Sequence, residues 1–425
     1  MSLCIAESAT AQMLPSLFPE GVPGYDTAPG VTVQSRLHPD FTPLGLRDGA
    51  FQIFPSIDES IGYNSNVLPG SAGRGSWQVT TAPALIFGSD WPRDQVGAAV
   101  TVQNTRYLSL PSQDRTDVSA SAGGRIDIGE DQLTIAAAHA SRHEDRGEID
   151  TIISDRPIAF QVDDLRAAYT LTDGSWSLTP NLDVANWRLN NTTILGLPAS
   201  QAYRDRIVGQ GDLTLRYELA PLRNILFVAR ALGQDYTHIP SGQPSTNSHA
   251  FQVLTGFDFD ANTVWRWRLL LGGETRQFTA SVYRPQNTLI AEAEASWSPS
   301  GMTTIHAGVS RDTQDAAQEG IAGLTYSTAR LTVDHEYLRN VMLTASVGLQ
   351  QADYFQGGRQ SGFTAGAGVT WLLNRSVRLS LTYDQTDLHG GSASAQTSAT
   401  RTSESQSLAT GYSRSLTLLT FHFAL

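Results

Sequence analysis

Apolar and polar residues alternate along most of the chain, from about residue 50 to the C-terminal end. In residues 264–274, for example, Trp265, Trp267, Leu269 and Leu271 fall on one face and polar residues occupy most of the other. Because successive side chains of a strand point to opposite faces, each such segment predicts a two-sided β-strand. About 18 such segments occur, and no helical stripe of any length interrupts them. They are centred near residues 57, 82, 100, 122, 137, 166, 181, 213, 229, 255, 269, 293, 307, 331, 346, 368, 380 and 419.

The predicted connections alternate in length. Short turns such as 129–131 and 299–301 alternate with longer, more polar loops such as 143–156 and 235–248. Short turns at one rim and long loops at the other are typical of outer-membrane barrels. We therefore predict an all-β fold, a transmembrane antiparallel up-and-down β-barrel of about 18 strands over residues 49–425.

Aromatic residues lie near the predicted short turns, and others alternate along the last strand. Trp and Tyr favour the headgroup zone of a membrane, where the ring and its polar N–H or O–H are both accommodated. The terminal strand is similar to the usual signal for barrel insertion, although it ends in Leu425 rather than Phe. The residues predicted to face lipid or to form an aromatic girdle are Trp176, Trp265, Trp267, Trp297, Trp371, Phe421 and Phe423.

The two-residue alternation along the strands also predicts which leucines face the bilayer centre. Leu269, Leu331 and Leu381 are expected on the outer face, where an arginine costs about 2–4 kcal/mol near the midplane. The neighbouring Leu270 and Thr382 are expected to point inward, where an arginine should cost much less.

The opposite face of the strands carries charges of both signs. Charges on neighbouring strands can pair across the wall and hold its register. This pattern leaves two interpretations open: a weakly selective hydrophilic channel, or purely structural pairing. The residues predicted to line a pore are Arg125, Arg166, Arg216, Arg230, Arg266, Arg268, Arg330, Arg378, Asp164, Asp212, Glu292, Glu294, Asp334 and Asp384.

The N-terminal part of the chain has a different composition. Ala9-Thr10-Ala11 has the form of a signal-peptidase site, so residues 1–11 are interpreted as a possible signal-peptide remnant, with an ordinary small-residue tail as the alternative. Residues 12–48 are rich in proline and have no sustained period, which predicts an irregular periplasmic segment. That segment is long enough to enter the barrel as a plug or to dock a periplasmic partner.

Composition narrows the classes of function. Only 16% of the 425 residues are charged, which is low against about 25% for a soluble domain. The net charge is −12 and the basic residues, all arginines, are scattered, so a nucleic-acid partner is not expected. Mean hydropathy is −0.21, which alone would suit a soluble protein, but only every second residue of a barrel strand faces lipid. With a single cysteine, Cys4, the chain forms no intramolecular disulfide and no cysteine metal cluster.

The sequence predicts no enzyme, no catalytic residue, no cofactor and no metal. The motifs of zinc proteases, serine hydrolases and P-loop proteins are missing from the sequence. His139 and His143 with Glu144 and Asp145 could supply metal ligands, but we interpret them as the solvated base of a loop. The acidic residues of the long loops could bind divalent cations from lipopolysaccharide, but they are likewise interpreted as solvated charges; they are Asp145, Glu148, Asp150, Asp155 and Glu404. His422 alternates with Phe421 and Phe423 and is therefore expected to face the lumen.

A motif near the start of the predicted barrel carries a family resemblance. Its residues are Arg36, Pro39, Asp40, Pro43, Leu44, Gly45, Arg47, Gly49, Phe51, Phe54, Pro55, Tyr63, Asn66 and Val67. On these residues the chain resembles a Gram-negative outer-membrane family known as putative β-barrel porin type 2. It departs from the family pattern at His38, which directly precedes Pro39, and at Asn64, which follows Tyr63.

The resemblance implies a hydrophilic porin-like channel in the outer membrane of a Gram-negative bacterium. Many family members are encoded beside surface-polysaccharide genes, which suggests transport or export of an exopolysaccharide. The partners expected are outer-membrane lipid and lipopolysaccharide, the barrel-assembly machinery and a periplasmic polysaccharide-export protein, with no nucleic acid. The alternatives are a general small-solute diffusion porin and, in a different class, a soluble β-rich carbohydrate-binding protein.

Overall fold

The computed structural model describes residues 22–25, 33, 36, 38–68, 73–260, 264–390 and 411–425. Eighteen long strands account for most of these residues. They are β1 (Phe51–Asn64), β2 (Ser76–Ser89), β3 (Gln95–Tyr107), β4 (Arg115–Ile128), β5 (Asp131–His143), β6 (Ala159–Asp173), β7 (Trp176–Leu189), β8 (Arg206–Ala220), β9 (Arg223–Tyr236), β10 (Ser248–Phe259), β11 (Trp265–Phe278), β12 (Gln286–Ser300), β13 (Thr303–Gln314), β14 (Leu324–Leu338), β15 (Val341–Tyr354), β16 (Arg359–Leu372), β17 (Val377–Gly390) and β18 (Tyr412–Ala424).

Among the described residues, the smaller elements are three short strands and two single 3₁₀ turns. The short strands are Leu46–Asp48, Thr192–Ile194 and Leu197–Ala199, and the 3₁₀ turns are Pro111–Gln113 and Ala202–Arg204. In the part of the chain that the structure describes, no helix is long and apolar enough to span a membrane.

The sheet closes on itself. Each long strand pairs antiparallel with the next strand in the sequence, and β18 returns to pair with β1. In that last pair Leu416 lies opposite Asn64 and Ala424 lies opposite Ser56. The predicted antiparallel up-and-down barrel is therefore confirmed, and every predicted strand centre falls within one of its 18 strands.

The two rims of the barrel differ as predicted. Turns of two to five residues connect the strands at one rim, which we call the short-turn end. Longer connections such as 144–158 and 190–205 lie at the other rim, the long-loop end. Gly129 and Gly174 have φ values of +68° and +57°, the left-handed conformation that tight two-residue hairpin turns require.

The outer face of the barrel is apolar and bears two aromatic belts. Leu331 and Leu381 are 42% and 51% exposed there, since no other part of the protein covers this face. At the short-turn end Trp265 stacks on Trp297 with ring centroids 5.1 Å apart. Tyr63 and Trp77 pack edge to face at the long-loop end. The predicted lipid-facing residues Trp176, Trp265, Trp267, Trp297, Trp371, Phe421 and Phe423 are all exposed on the outer face.

One part of the inner face is unexpectedly apolar. Leu226, Val228, Leu254, Leu270 and Ile290 form a buried cluster on the inner side of β9–β12. Leu270 is fully covered within this cluster. The expectation that an arginine at Leu270 costs little is therefore wrong, because the charge would be placed among aliphatic side chains.

Candidate functional site: the barrel lumen

The inner wall carries the charges that the alternation assigned to it. The pairing register and the alternation of covered and exposed side chains place these residues on the inner face: Arg125, Arg166, Arg216, Arg230, Arg266, Arg268, Arg330, Arg378, Asp164, Asp212, Glu292, Glu294, Asp334 and Asp384. Whether they line a conducting pore stays a prediction.

Several of these charges pair across the wall. Arg230 on β9 binds Glu292 on β12 at 2.6 Å, and Arg216 on β8 approaches Asp258 on β10 at 3.6 Å. The partners are two or three strands apart, so these side chains reach along the wall rather than across the lumen. Such pairs hold the wall polar and in register.

The inward direction of His422 agrees with its predicted face. Its Nδ1 contacts the carboxylate of Asp58 on β1, and its Nε2 lies 2.8 Å from the guanidinium of Arg378 on β17. The three side chains therefore join the first, seventeenth and eighteenth strands from the inside.

A piece of the N-terminal segment lies inside the barrel. Tyr25 is 1% exposed, and its hydroxyl donates to Oδ1 of Asp164 on β6 at 2.9 Å. The guanidinium of Arg166 lies 4.9 Å from the centre of the Tyr25 ring and also binds Asp164. Val22 is fully covered and packs on the same wall. Tyr25 is thus held both by a charge-assisted hydrogen bond and by a cation–π contact.

The wall beneath Tyr25 is made of small residues. Ala136, Ala138 and Ala140 line the inner side of β5, and Gly123 lies beside them on β4. A Cβ atom at Gly123 would lie 2.0 Å from the carbonyl oxygen of Pro23, so only glycine admits the segment at this distance. The wall is therefore shaped to receive residues 22–25.

The segment is attached to the opposite wall as well. The backbone N–H of Val33 donates to Thr304 on β13 at 3.1 Å, and Val33 packs against Met342 and Leu372. Arg36 pairs with Glu336 on β14 near the short-turn end. Tyr25 and Val33 thus lie on opposite sides of the barrel, only eight residues apart in the sequence.

At the long-loop end, residues 144–158 cross the mouth of the barrel; we call them the lid segment. Ile149 packs with Tyr354 and Leu388 on β15 and β17. Ile152, fully covered, packs instead with Leu189 on β7 and with Ala317. Since β7 and β17 are on opposite walls, the lid segment is anchored on both sides of the mouth.

Charged pairs fix the beginning of the lid segment, and a hydrogen bond from Arg146 ties it to Ser154 near the other end. Asp145 accepts a hydrogen bond from Arg414 on β18 at 2.8 Å, and Glu144 pairs with Arg204. Arg146 is 4% exposed and donates to the carbonyl oxygen of Ser154 at 2.8 Å. Burial raises the pKa of Asp145, but Arg414 and Arg115 outweigh it and hold that pKa below its usual range.

Asp150 lies at the centre of the lid segment. Its carboxylate accepts a hydrogen bond from the backbone N–H of Ala317 at 2.5 Å and one from the hydroxyl of Tyr354 at 2.9 Å. Its own N–H donates to Gln360 at 2.8 Å. It therefore joins the lid segment to the loop 315–323 and to two wall strands.

Two acids of the lid segment have raised pKa values. Burial raises the pKa of Asp150 to about 7, against the opposing effects of the Ala317 and Tyr354 hydrogen bonds and of Arg204. Burial also raises the pKa of Glu148 to about 8, and the nearby Asp145 and Glu144 add to the shift.

These contacts correct the interpretation of Asp145 and Asp150 as solvated charges, since both are bound within the mouth of the barrel. Asp155 is exposed, as expected of a solvated charge, and accepts hydrogen bonds from the N–H groups of Leu195 and Gly196. Glu404 and residues 1–11 lie outside the described residues. The signal in the sequence was Ile149-Asp150-Thr151-Ile152-Ile153, because three isoleucines in a long loop indicate packing rather than solvation.

The histidines near the lid segment do not come together. His139 points outward and contacts Asp163 at 2.6 Å, whereas His143 contacts Asp117 at 2.7 Å. Among the described residues, no group of three or more His, Cys, Asp or Glu side chains could hold a metal ion.

Comparison with known proteins points to one family. The family described as Putative beta-barrel porin 2 matches residues 38–405. No curated protein matches the sequence.

Several solved structures are similar in fold. OpdO of Pseudomonas aeruginosa is 11% identical, with 88% of this chain and 97% of that chain covered and a TM-score of 0.44. OccK2 (OpdF) of the same organism is 10% identical over 88% and 98%, with a TM-score of 0.46. OccAB3 of Acinetobacter baumannii is 8% identical over 88% and 99%, with a TM-score of 0.43.

Proposed function

Since the chain belongs to the putative β-barrel porin 2 family and forms a porin-like channel in the outer membrane of a Gram-negative bacterium, we propose that it conducts small hydrophilic solutes through a lumen narrowed by its own N-terminal segment. The observation that carries the proposal is the position of Tyr25, bound to Asp164 and Arg166 on the inner wall. A barrel of about 18 strands is wide enough for water, so material held inside it limits what passes.

The close contact between Gly123 and Pro23 allows a direct test of this proposal. Gly123→Ala places a methyl group where Pro23 now lies, so the segment cannot occupy its present position. We expect a larger single-channel conductance in planar bilayers than for the unaltered chain. Gly308→Ala is the matched control, since it faces the same lumen from β13 and its added methyl group would contact nothing within 4 Å.

Two outcomes of these conductance measurements would contradict the proposal. If Gly123→Ala and Gly308→Ala conduct equally, the N-terminal segment does not narrow the channel. If none of the three proteins conducts in any condition, the proposal of a solute channel fails.

Export of an exopolysaccharide is the more specific proposal. It rests only on the association of the family with surface-polysaccharide genes, together with inner-wall arginines that would suit an acidic polymer. A polymer in transit would have to displace both the N-terminal segment and the lid segment, which would need a partner such as a periplasmic export protein. A deletion strain with normal surface polysaccharide would eliminate this role, whereas poor uptake of small solutes in that strain would support the channel.

A further inference from the structure

We propose that residues 144–158 are a pH-sensitive lid over the long-loop mouth of the barrel, pinned shut by Asp150 while its carboxyl group is neutral. The proposal rests on the proposed channel function, since a lid matters only where something passes. With short turns facing the periplasm, as in outer-membrane barrels, this mouth faces the cell exterior.

The geometry is that of a movable cover. The lid segment leaves the wall after β5 and returns at β6, yet its central residues pack on β7, on β15 and on β17. Apart from a single β-bridge at Ile152 and the hydrogen bond from the Asp155 N–H to the Thr193 carbonyl oxygen, side chains attach it. Loops can leave such positions when a few contacts are broken, whereas strands of the wall cannot.

Asp150 concentrates polar contacts of the lid segment in one residue, two through its carboxylate and one through its backbone N–H. Asp150 forms hydrogen bonds with the Ala317 N–H, the Tyr354 hydroxyl and Gln360. The Tyr203 hydroxyl also donates to the Ala317 carbonyl oxygen at 2.6 Å. Loss of the Asp150 side-chain contacts would remove, in one step, the hydrogen bonds that join the lid segment to Ala317 of the loop 315–323 and to Tyr354 of β15.

The charged groups around Asp150 do not neutralise the negative charge of its ionised carboxylate. Tyr354 from β15 and Gln360 from β16 are neutral donors or acceptors, and the loop 315–323 offers the Ala317 backbone. The 3₁₀ turn Ala202–Arg204 contributes Tyr203 and the cation Arg204, but Arg204 is already paired with Glu144 of the lid segment. Around Glu148 lie the acids Asp145 and Glu144 and the cations Arg414 and Arg142.

The sign of the effect follows from these surroundings. An acid whose pKa is raised in the closed lid binds its proton more tightly there than when the lid is open. Its stabilisation of the closed lid is complete below about pH 4, the ordinary pKa of aspartate, and is lost as the pH rises towards about 7. Glu148 extends the loss towards pH 8. The lid is therefore closed in acid and opens towards mildly alkaline pH.

Asp150→Asn isolates the charge. Asparagine has the same shape, cannot ionise and tolerates the φ of +63° found here, so the backbone is not strained. Trypsin reports lid opening independently of conduction: Arg146 is buried in the closed lid, and the bond after Arg156 is protected by Pro157. At pH 8 we expect cleavage after Arg146 to be at least about tenfold slower in Asp150→Asn than in the unaltered chain.

Two further variants complete the test. Tyr354→Phe removes one hydrogen bond to Asp150 but no charge, and it should speed the same cleavage. Glu130→Gln changes an exposed acid in a short turn and should behave as the unaltered chain. In planar bilayers, conductance of the unaltered chain should rise between pH 5 and pH 8, and that of Asp150→Asn should stay near its value at pH 5.

If trypsin cleaves after Arg146 equally fast in the unaltered chain and in Asp150→Asn, with both barrels folded, the lid proposal is overturned. A barrel that conducts equally at both pH values while Arg146 stays protected also overturns it, but leaves the channel intact. A barrel that is cleaved as expected but never conducts overturns the channel proposal instead.

Discussion

Adjacent residues on a barrel strand face different solvents, and Leu331 and Thr332 at the centre of β14 make this measurable. Leu331 is 42% exposed on the outer face, and Thr332 lies inward, two residues from Asp334. Leu331→Arg should lower the free energy of unfolding by about 2–4 kcal/mol, because its charge is placed in the acyl chains. Denaturant titration in lipid vesicles measures the change.

Thr332→Arg is the control for that prediction. Its guanidinium can pair with Asp334 on the inner wall, so the loss should be much smaller. Equal losses for the two variants would mean that the two faces of β14 are assigned the wrong way round.

Some residue positions could be predicted from the sequence and others could not. The direction of each wall residue depends only on its neighbours in the chain, so alternation was enough to place Asp164 and Leu331. Tyr25 and Asp150 are held by partners 139 and 204 residues away, Asp164 and Tyr354. No local pattern encodes such contacts, and the proline content around Tyr25 indicated only irregular structure.

Among the elements, the last strand has a role beyond its share of the wall. β18 ends with Phe421 and Phe423 exposed on the outer face, and it supplies the final pairing edge. We propose that the barrel-assembly machinery recognises this strand. Phe423→Ser should reduce the amount of folded barrel recovered from the outer membrane, measured as the fraction that shifts on heating in gel electrophoresis.

The matched variant is Phe363→Ser on β16, which removes an equally exposed ring, 40% against 43% for Phe423, from an internal strand. A similar loss of folded barrel in both variants would show that the ring matters for its apolar area and not for its place on the strand that closes the barrel.

The loops mark the limit of prediction at this scale. Strand positions and the alternation of short and long connections followed from the period and the turn residues. The inward path of the lid segment did not, since its anchors Tyr354, Leu388 and Arg414 come far later in the chain. Only its isoleucines hinted that this loop packs against protein.

The whole molecule should behave as an integral membrane barrel. Its outer face is a continuous apolar surface between two aromatic belts. An exposed apolar surface of this size indicates contact with a membrane rather than with water. The folded protein should need detergent, give a β-type circular dichroism spectrum and migrate anomalously on a gel unless boiled. A monomer that stays in solution without detergent would contradict the membrane location.

The junction of β1 with β18 has a consequence for how the molecule forms. Ser60 and Thr420 meet there at 2.8 Å although 360 positions separate them in the chain, whereas every other long-strand pair joins sequence neighbours. Hairpins can assemble locally and early, but this one pairing raises the contact order and must wait for the entire polypeptide. Until then two strand edges stay open to foreign partners. The pairing of β1 with β18 is therefore the slowest and most aggregation-sensitive step in the formation of the barrel.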